Sequence, residues 1–291
     1  MMRVILSALL VAIPGIAIAQ TATMPDDIVV SAQREQARKA VATYVANISR
    51  TTGGQLARFH QPVCVSMIGG LPAEHAAIVE QRIREDAIAA GAQVAKAPCR
   101  ANLIVMIAAS GSDLIKDMRK HRPDWLTGLS WTDVNALIAP TPARAWSIMS
   151  LRNETGEELS PPSAMGNRAM RTRDALSDTP VLRVRSSSIV SPSTRQNMEA
   201  SFVVIDRPSI VGMSLRQIAD YAAMRGLGHT RPPAPGGSVD TILSLLDGSG
   251  TPPRALTASD AAFLRMLYSS DGLGEAVNER NKIARRIIDG K

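Results

Sequence analysis

Aromatic residues are scarce in this chain of 291 residues, which contains only three each of Trp, Tyr and Phe. Proteins that bind single-stranded nucleic acid or sugar rings stack them on aromatic side chains, so both classes are disfavoured. The interior is instead expected to consist of Ala, Val, Ile and Leu together with thirteen Met. Because 45% of the residues are apolar, there is enough material for a core, and a mostly disordered chain is excluded.

Dense blocks of basic residues are also absent. The formal net charge of +7 is spread along the chain, with small concentrations at residues 168–173 and 280–286. Nucleic-acid interfaces typically interleave Lys and Arg with aromatic residues, and this chain has no such segment. We therefore expect no nucleic-acid partner.

No apolar run reaches the roughly eighteen residues that a membrane helix needs, and the longest internal candidate, Leu103–Ala109, has the length of a strand. At the N-terminus, Arg3 precedes the apolar run Val4–Ile13 and the small-residue triplet Ala17–Ala19. This pattern predicts a signal peptide over residues 1–19 and no transmembrane segment. An uncleaved anchor is the less favoured alternative. The mature protein is expected to be periplasmic or secreted.

Cysteine is limited to Cys64 and Cys99. Cys64 lies within the apolar run 62–68, and Cys99 shortly precedes the run 102–108, and both runs are typical of short buried strands. In an oxidising compartment, this arrangement predicts a disulfide between neighbouring strands. A nucleophilic thiol is disfavoured, because neither cysteine has a Cys-x-x-Cys partner or an adjacent His that would favour the thiolate.

The order of apolar patterns predicts an α/β (α+β) fold with a mixed sheet. The runs 62–68 and 102–108 flank a helix from Pro72 to Gly91, which predicts a βαβ unit with parallel strands. Further expected elements are a helix from Ser31, a helix at 112–120, a helical turn capped by Ser130 and Asp133, a strand at 145–151 and C-terminal helices. The predicted boundaries are an arm and helix at 20–56, a main domain at 57–270 and a C-terminal helix at 271–291.

The centre of the chain changes character at residues 152–178, which lack apolar periodicity and predict a long surface loop. Beyond it, residues 181–190 and 198–206 flank a Ser-Pro-Ser turn. This pattern predicts a β-hairpin at the edge of the sheet. Arg183 and Arg185 alternate with apolar residues, so one face of the hairpin is expected to be cationic and solvated.

A helix with a clear N-cap follows the predicted hairpin. Ser214 is the cap, and Gly226 or Gly228 ends the helix. The helix can be aligned with the zinc-peptidase pattern His-Glu-x-x-His-x-x-Gly-x-x-His. The five defining positions then fall on Ala219, Asp220, Ala223, Gly226 and His229. The glycine and the last histidine match, the acid is one methylene shorter, and alanine replaces both helix histidines.

Together with the hairpin, the Pro-rich loop and the segment Leu256–Tyr268, this helix resembles an uncharacterised family of exported proteobacterial proteins with a zincin-like, metallopeptidase-related fold. The resemblance is best over residues 181–270 and diffuse over 57–150. For members with an intact helix it implies zinc-dependent hydrolysis. Here the two alanines remove two of the three ligands of a catalytic zinc, so no metal site and no cofactor are expected. The remaining candidates for a cleft on this helix are Asp220, Tyr221, Arg225 and His229.

Templates of other enzymes are incomplete. Residues 128–132 and 212–216 each begin like a nucleophile elbow but lack its closing glycine, and there is no P-loop and no dinucleotide fingerprint. No catalytic residue is therefore assigned. We expect a pseudoenzyme, an exported, non-catalytic protein that binds a partner or associates with the envelope. The alternative is a peptidase-like hydrolase with an unrecognised active site.

A short N-terminal segment suggests a partner. Residues Asp26–Arg34 resemble the periplasmic N-terminal box of TonB-dependent outer-membrane receptors, in which an extended peptide adds a strand to a partner sheet. The resemblance implies docking to an envelope protein or peptide through Ile28, Val29 and Val30. The rest of the chain shows no barrel pattern, so it is not itself such a receptor. The alternative is a flexible arm that leads into the first helix.

Overall fold

The computed structural model describes residues 26–158, 192–234, 237–248 and 251–290. The chain divides into two units, Met1–Gln36 and Ala37–Lys291. The described part of the first unit is the beginning of helix α1, and every other described element belongs to the second unit.

The described residues form seven α-helices and four strands, which confirms the α/β (α+β) class. The helices are α1 (Asp26–Ile48), α2 (Ala73–Ala90), α3 (Gly111–His121), α4 (Trp131–Ile138), α5 (Leu215–Leu227), α6 (Ala258–Ser269) and α7 (Ala276–Asp289). The strands are β1 (Val65–Ile68), β2 (Leu103–Ala108), β3 (Ala143–Asn153) and β4 (Thr194–Asp206). Three short 3-10 helices cover Pro123–Leu126, Arg207–Ile210 and Ile242–Leu246.

The strands form one mixed sheet in the order β1-β2-β4-β3. β1 and β2 are parallel, with Val65 beside Leu103, and α2 connects them. This confirms the predicted βαβ unit. β4 runs parallel to β2 and antiparallel to β3, so β3 forms one edge of the described sheet.

The strand predicted at 198–206 lies inside the sheet rather than at its edge. Val203 of β4 lies beside Val105 on one side and Ala145 on the other. Helices also cover both faces of the sheet at this strand, which explains the unbroken burial of residues 201–205. The prediction of an edge hairpin is therefore wrong for this strand. The other predicted arm, 181–190, lies outside the described residues, as does most of the predicted loop at 152–178.

Helices cover both faces of the sheet. On one face, α2, α5 and α6 pack around side chains such as Leu103 and Val203. On the other face, α3 and α4 enclose a smaller cluster in which the rings of Trp146 and Phe202 stack with their centroids 5.0 Å apart. The two clusters alternate along β4 because successive side chains of a strand point to opposite faces.

Several helix ends lie where the sequence predicts them. α2 ends at Gly91, whose φ of 88° is readily adopted only by glycine. Ser130 and Asp133 form a capping box at the start of α4, and Ser214 forms another with Gln217 at the start of α5. The N-cap prediction for the candidate helix is thereby confirmed.

Helix α1 begins at Asp26, five residues before the predicted start at Ser31. Residues Ile28, Val29 and Val30 are therefore helical, and the prediction that the arm continues to residue 30 before the helix begins is wrong. Docking by strand addition would require this part of α1 to unwind. No helix in the described ranges is both long and apolar enough to cross a membrane.

Cys64 and Cys99 form a disulfide, with their Cα atoms 6.1 Å apart. The bond links the residue before β1 to the segment that precedes β2, and these strands are neighbours in the sheet. The predicted pairing is confirmed. Neither cysteine carries a free thiol, so the nucleophile alternative is wrong.

Candidate functional site

The two alanines that stand in place of the zinc-peptidase histidines do not line a cleft. Ala219 and Ala223 are fully buried and belong to the main hydrophobic cluster beneath the sheet. This side of α5 packs into the core. In the part of the chain that the structure describes, no group of three or more His, Cys, Asp or Glu side chains is arranged to hold a metal ion. The resemblance to a zinc-peptidase family stays a prediction.

Asp220 lies in a buried ion pair rather than in a cleft. Its side chain is fully buried and accepts hydrogen bonds from Arg82 Nε at 2.7 Å and from the Leu256 backbone N–H at 2.6 Å. The same arginine contacts Asp86 through Nη2 at 2.9 Å. These contacts join α5 to α2, so Asp220 has a structural role.

Two of the predicted cleft residues, Arg225 and His229, do line a cleft at the C-terminal end of α5. Arg225 is 5% exposed, and its Nη1 donates a 2.7 Å hydrogen bond to the Tyr221 hydroxyl. Tyr221 is itself buried, and its hydroxyl fixes the position of the Arg225 guanidinium. Arg225 Nε is buried and has no hydrogen-bond partner among the described residues.

The cleft has a volume of about 490 Å³ and follows the outer edge of β3. One wall is formed by the end of α5 and by the segment after α1. These two segments lie side by side, because Ser49 bridges to Thr230 and the Arg231 N–H donates to the Ile48 carbonyl at 2.9 Å. The opposite wall is formed by α4 and the loop before it.

The first wall is strongly cationic. Arg50, Arg225 and Arg231 line the cleft, and none of them forms an ion pair with a carboxylate in the described residues. Burial, together with the charges of Arg225 and Arg231, lowers the pKa of the Arg50 guanidinium. Among the described lining residues Asp133, on the opposite wall, is the one carboxylate. An anion entering the cleft would relieve this mutual repulsion and accept charge-assisted hydrogen bonds.

A fourth lining arginine, Arg144, differs from these three because a carboxylate compensates its charge, although its Nε, like that of Arg225, has no described hydrogen-bond partner. Its Nη1 contacts Asp206 at 2.7 Å, and its Nη2 donates to the Thr141 carbonyl at 2.6 Å. The same Asp206 oxygen accepts the backbone N–H of Gly111 at 2.9 Å. The excess positive charge therefore belongs to the first wall and not to the cleft as a whole.

His229 and Ser147 form a close pair inside the cleft. His229 has a left-handed φ of 46°, and its Nδ1 lies 3.2 Å from Ser147 Oγ. Residues other than glycine rarely adopt this conformation, and such positions concentrate at functional sites. Burial and the charges of Arg50 and Arg225 lower the pKa of the imidazole to about 3. The ring is therefore neutral at pH 7 and a weak base, which suits hydrogen bonding better than removal of the serine proton.

Sequence reasoning found Arg225 and His229 but missed Arg50, Ser147 and Arg231. These three residues come from separate parts of the chain and carry no motif. Their proximity depends on the pairing of segments 48–50 and 229–231 and on the position of β3 at the sheet edge. Comparison of the chain with models of protein families, with curated proteins and with solved structures finds no match. The site itself therefore carries the functional assignment.

Proposed function

We propose that this chain is an exported protein that binds an anionic ligand in the cleft beside β3 and performs no chemistry on it. The observation that carries the proposal is Arg225, which is 5% exposed, has no described partner for its Nε and, like Arg50 and Arg231 in the same cleft, forms no ion pair within the described residues. A buried, incompletely paired cation is costly unless a ligand completes its hydrogen bonds. Guanidinium groups match carboxylate and phosphate oxygens, so the ligand carries one of these groups.

Two observations support the proposal of export. The disulfide is typical of proteins in oxidising compartments, and the first nineteen residues have the pattern of a signal peptide. The low pKa of His229 supports a binding role, because a neutral, weakly basic imidazole contributes little to proton transfer.

The test is calorimetric titration of the purified protein with inorganic phosphate and with glutarate. We expect binding of at least one anion, and we expect Arg50→Gln and Arg231→Gln each to weaken it by about tenfold or more, since a hydrogen bond to a charged group contributes about 1.5–3 kcal/mol. Arg119→Gln is the matched control, because Arg119 is exposed on α3 and does not line the cleft. Binding that both cleft variants retain in full would contradict the proposal, as would equal loss in the control.

The second candidate function is a hydrolase with Ser147 as its nucleophile, and the observation that favours it is the contact with His229. The test is labelling with a fluorophosphonate, which modifies activated serines. Labelling that disappears in Ser147→Ala would favour the hydrolase. An absence of labelling alongside anion binding would favour the binding protein.

A further inference from the structure

The outer edge of β3 presents backbone groups to the cleft. Asp206 N–H donates to the Pro142 carbonyl at 2.9 Å, so the even-numbered residues of β3 up to Ile148 face β4 in this antiparallel pair. The odd-numbered residues therefore direct their N–H and C=O groups to the other side of the strand. These residues are Ala143, Ala145 and Ser147, and all three line the cleft.

This edge is only partly used by the described residues. The Ala145 carbonyl accepts Arg50 Nη1 at 3.1 Å, and the Ala143 carbonyl accepts the Thr141 hydroxyl at 3.3 Å. The N–H groups of Ala145 and Ser147 and the Ser147 carbonyl make no backbone hydrogen bond within the described ranges. An unpaired strand edge of this kind is a template for another strand.

The two walls of the cleft differ in chemistry in a way that suits an added strand. The wall on the α5 side carries Arg50, Arg225 and Arg231, and the wall on the α4 side carries Leu129, Ala136 and Leu137. Alternate side chains of an extended peptide would point to these two walls, because successive residues of a strand face opposite sides. A peptide that complements both walls therefore alternates acidic and apolar residues.

We propose that the cleft binds an extended peptide that alternates acidic and apolar residues and adds as a strand to the outer edge of β3, with which no described strand pairs. The outward backbone groups span five residues, which corresponds to about 16 Å of extended chain. The inference rests on the proposed anion-binding function and names its ligand. Charge complementarity to Arg50, Arg225 and Arg231 favours acidic side chains in the ligand. The backbone groups at the edge of β3 that have no described backbone partner favour a peptide over a small anion.

The test uses a fluorescein-labelled peptide, Val-Glu-Val-Glu-Val-Glu, and measures anisotropy with the full-length protein. We compare it with a version N-methylated at alternate residues, which cannot donate to the strand edge, and with a version in which Lys replaces Glu. Inorganic phosphate and glutarate serve as competitors. We expect the N-methylated and the Lys peptides to bind at least tenfold more weakly than the Glu peptide.

Protein variants test the same edge. Ser147→Pro removes an N–H that points away from β4, so the ladder to β4 stays intact, and Ser147→Ala removes only the hydroxyl. We expect Ser147→Pro to lose at least fivefold more peptide affinity than Ser147→Ala, with thermal melting to confirm that both fold. If Ser147→Pro does not fold, the difference in affinity between the N-methylated and the unmodified peptide is the test of strand addition.

The outcomes separate the two proposals. Equal binding of the N-methylated and unmodified peptides, or binding of phosphate and glutarate without any peptide binding, overturns strand addition and leaves the anion site in place. Equal binding of the Glu and Lys peptides overturns the acidic specificity. Failure of every anion and every peptide to bind overturns the proposed function as well.

Discussion

The buried carboxylate Asp86 makes the stability of the fold dependent on pH. Asp86 is 4% exposed, shares Arg82 with Asp220 and has one oxygen without a hydrogen-bond partner in the described residues. Burial first, and then the charge of Asp220, raise the pKa of Asp86 from its ordinary 3.8 to about 7, although Arg82 opposes the shift. Glu85 adds to the negative charge. Between pH 3.8 and about 7, the folded protein therefore holds a proton on Asp86 that the unfolded chain releases.

The sign of the effect follows from this difference. A raised folded-state pKa contributes stability that is fully present below pH 3.8 and is lost as the pH rises through about 7. Asp86→Asn keeps the shape and resembles the protonated acid at every pH. The variant is expected to exceed the wild type in unfolding free energy by less than about 1 kcal/mol at pH 4 and by up to about 4 kcal/mol at pH 8, since one pKa unit corresponds to about 1.4 kcal/mol.

Urea denaturation of both proteins at pH 4 and pH 8 measures the difference directly. Asp117→Asn is the matched control, because Asp117 is 65% exposed on α3, and its replacement is expected to change the free energy by under about 0.5 kcal/mol at both pH values. A difference between Asp86→Asn and the wild type that is the same at both pH values would refute the reasoning. A variant that is less stable than the wild type at pH 8 would do so as well.

Three further predictions concern the framework. Glu279→Gln removes the carboxylate that compensates the buried Arg58 and should lower the unfolding free energy by about 3–5 kcal/mol in urea denaturation. Replacing both Arg58 and Glu279 by Leu should cost less than replacing either one alone. Losses that add in the double variant would contradict this expectation. Replacing both cysteines by serine should remove up to about 4 kcal/mol, and non-reducing mass spectrometry of the wild type should show the linked peptides; two free thiols would contradict the pairing. Gly111→Ala should lower the melting temperature by several degrees, because the new Cβ would lie 1.3 Å from an Arg144 nitrogen and 2.5 Å from an Asp206 oxygen. An unchanged melting temperature would contradict the expectation that displacing the Arg144–Asp206 ion pair destabilises the fold.

Local patterns predicted the helices and the βαβ unit well. Gly91 ends α2 and Ser130 caps α4 because each signal acts within four residues of the place it marks. The start of α1 was missed because Ile28, Val29 and Val30 are β-branched and favour extended structure when taken alone. The helix that continues from these residues to Ile48 outweighs that preference, because adding residues to an existing helix is easier than starting one.

The candidate site was predicted only in part. The alignment with a zinc-peptidase helix drew attention to Arg225 and His229, which do line the cleft, and to Asp220, which pairs with Arg82 instead. Helical periodicity places Asp220 and Arg225 on different sides of α5, but it does not say what each side contacts.

The sequence by itself determined most of the secondary structure, the pairing of the two cysteines and the parallel strands on either side of α2, because these features depend on nearby residues or on the presence of only two cysteines. Tertiary structure alone decided that β4 lies inside the sheet, that β3 forms an edge, and that Arg50, Arg225 and Arg231 meet beside it. Strand order and the convergence of distant arginines depend on packing between segments as far apart as Ser49 and Thr230, and such packing produces no periodic or local pattern in the sequence.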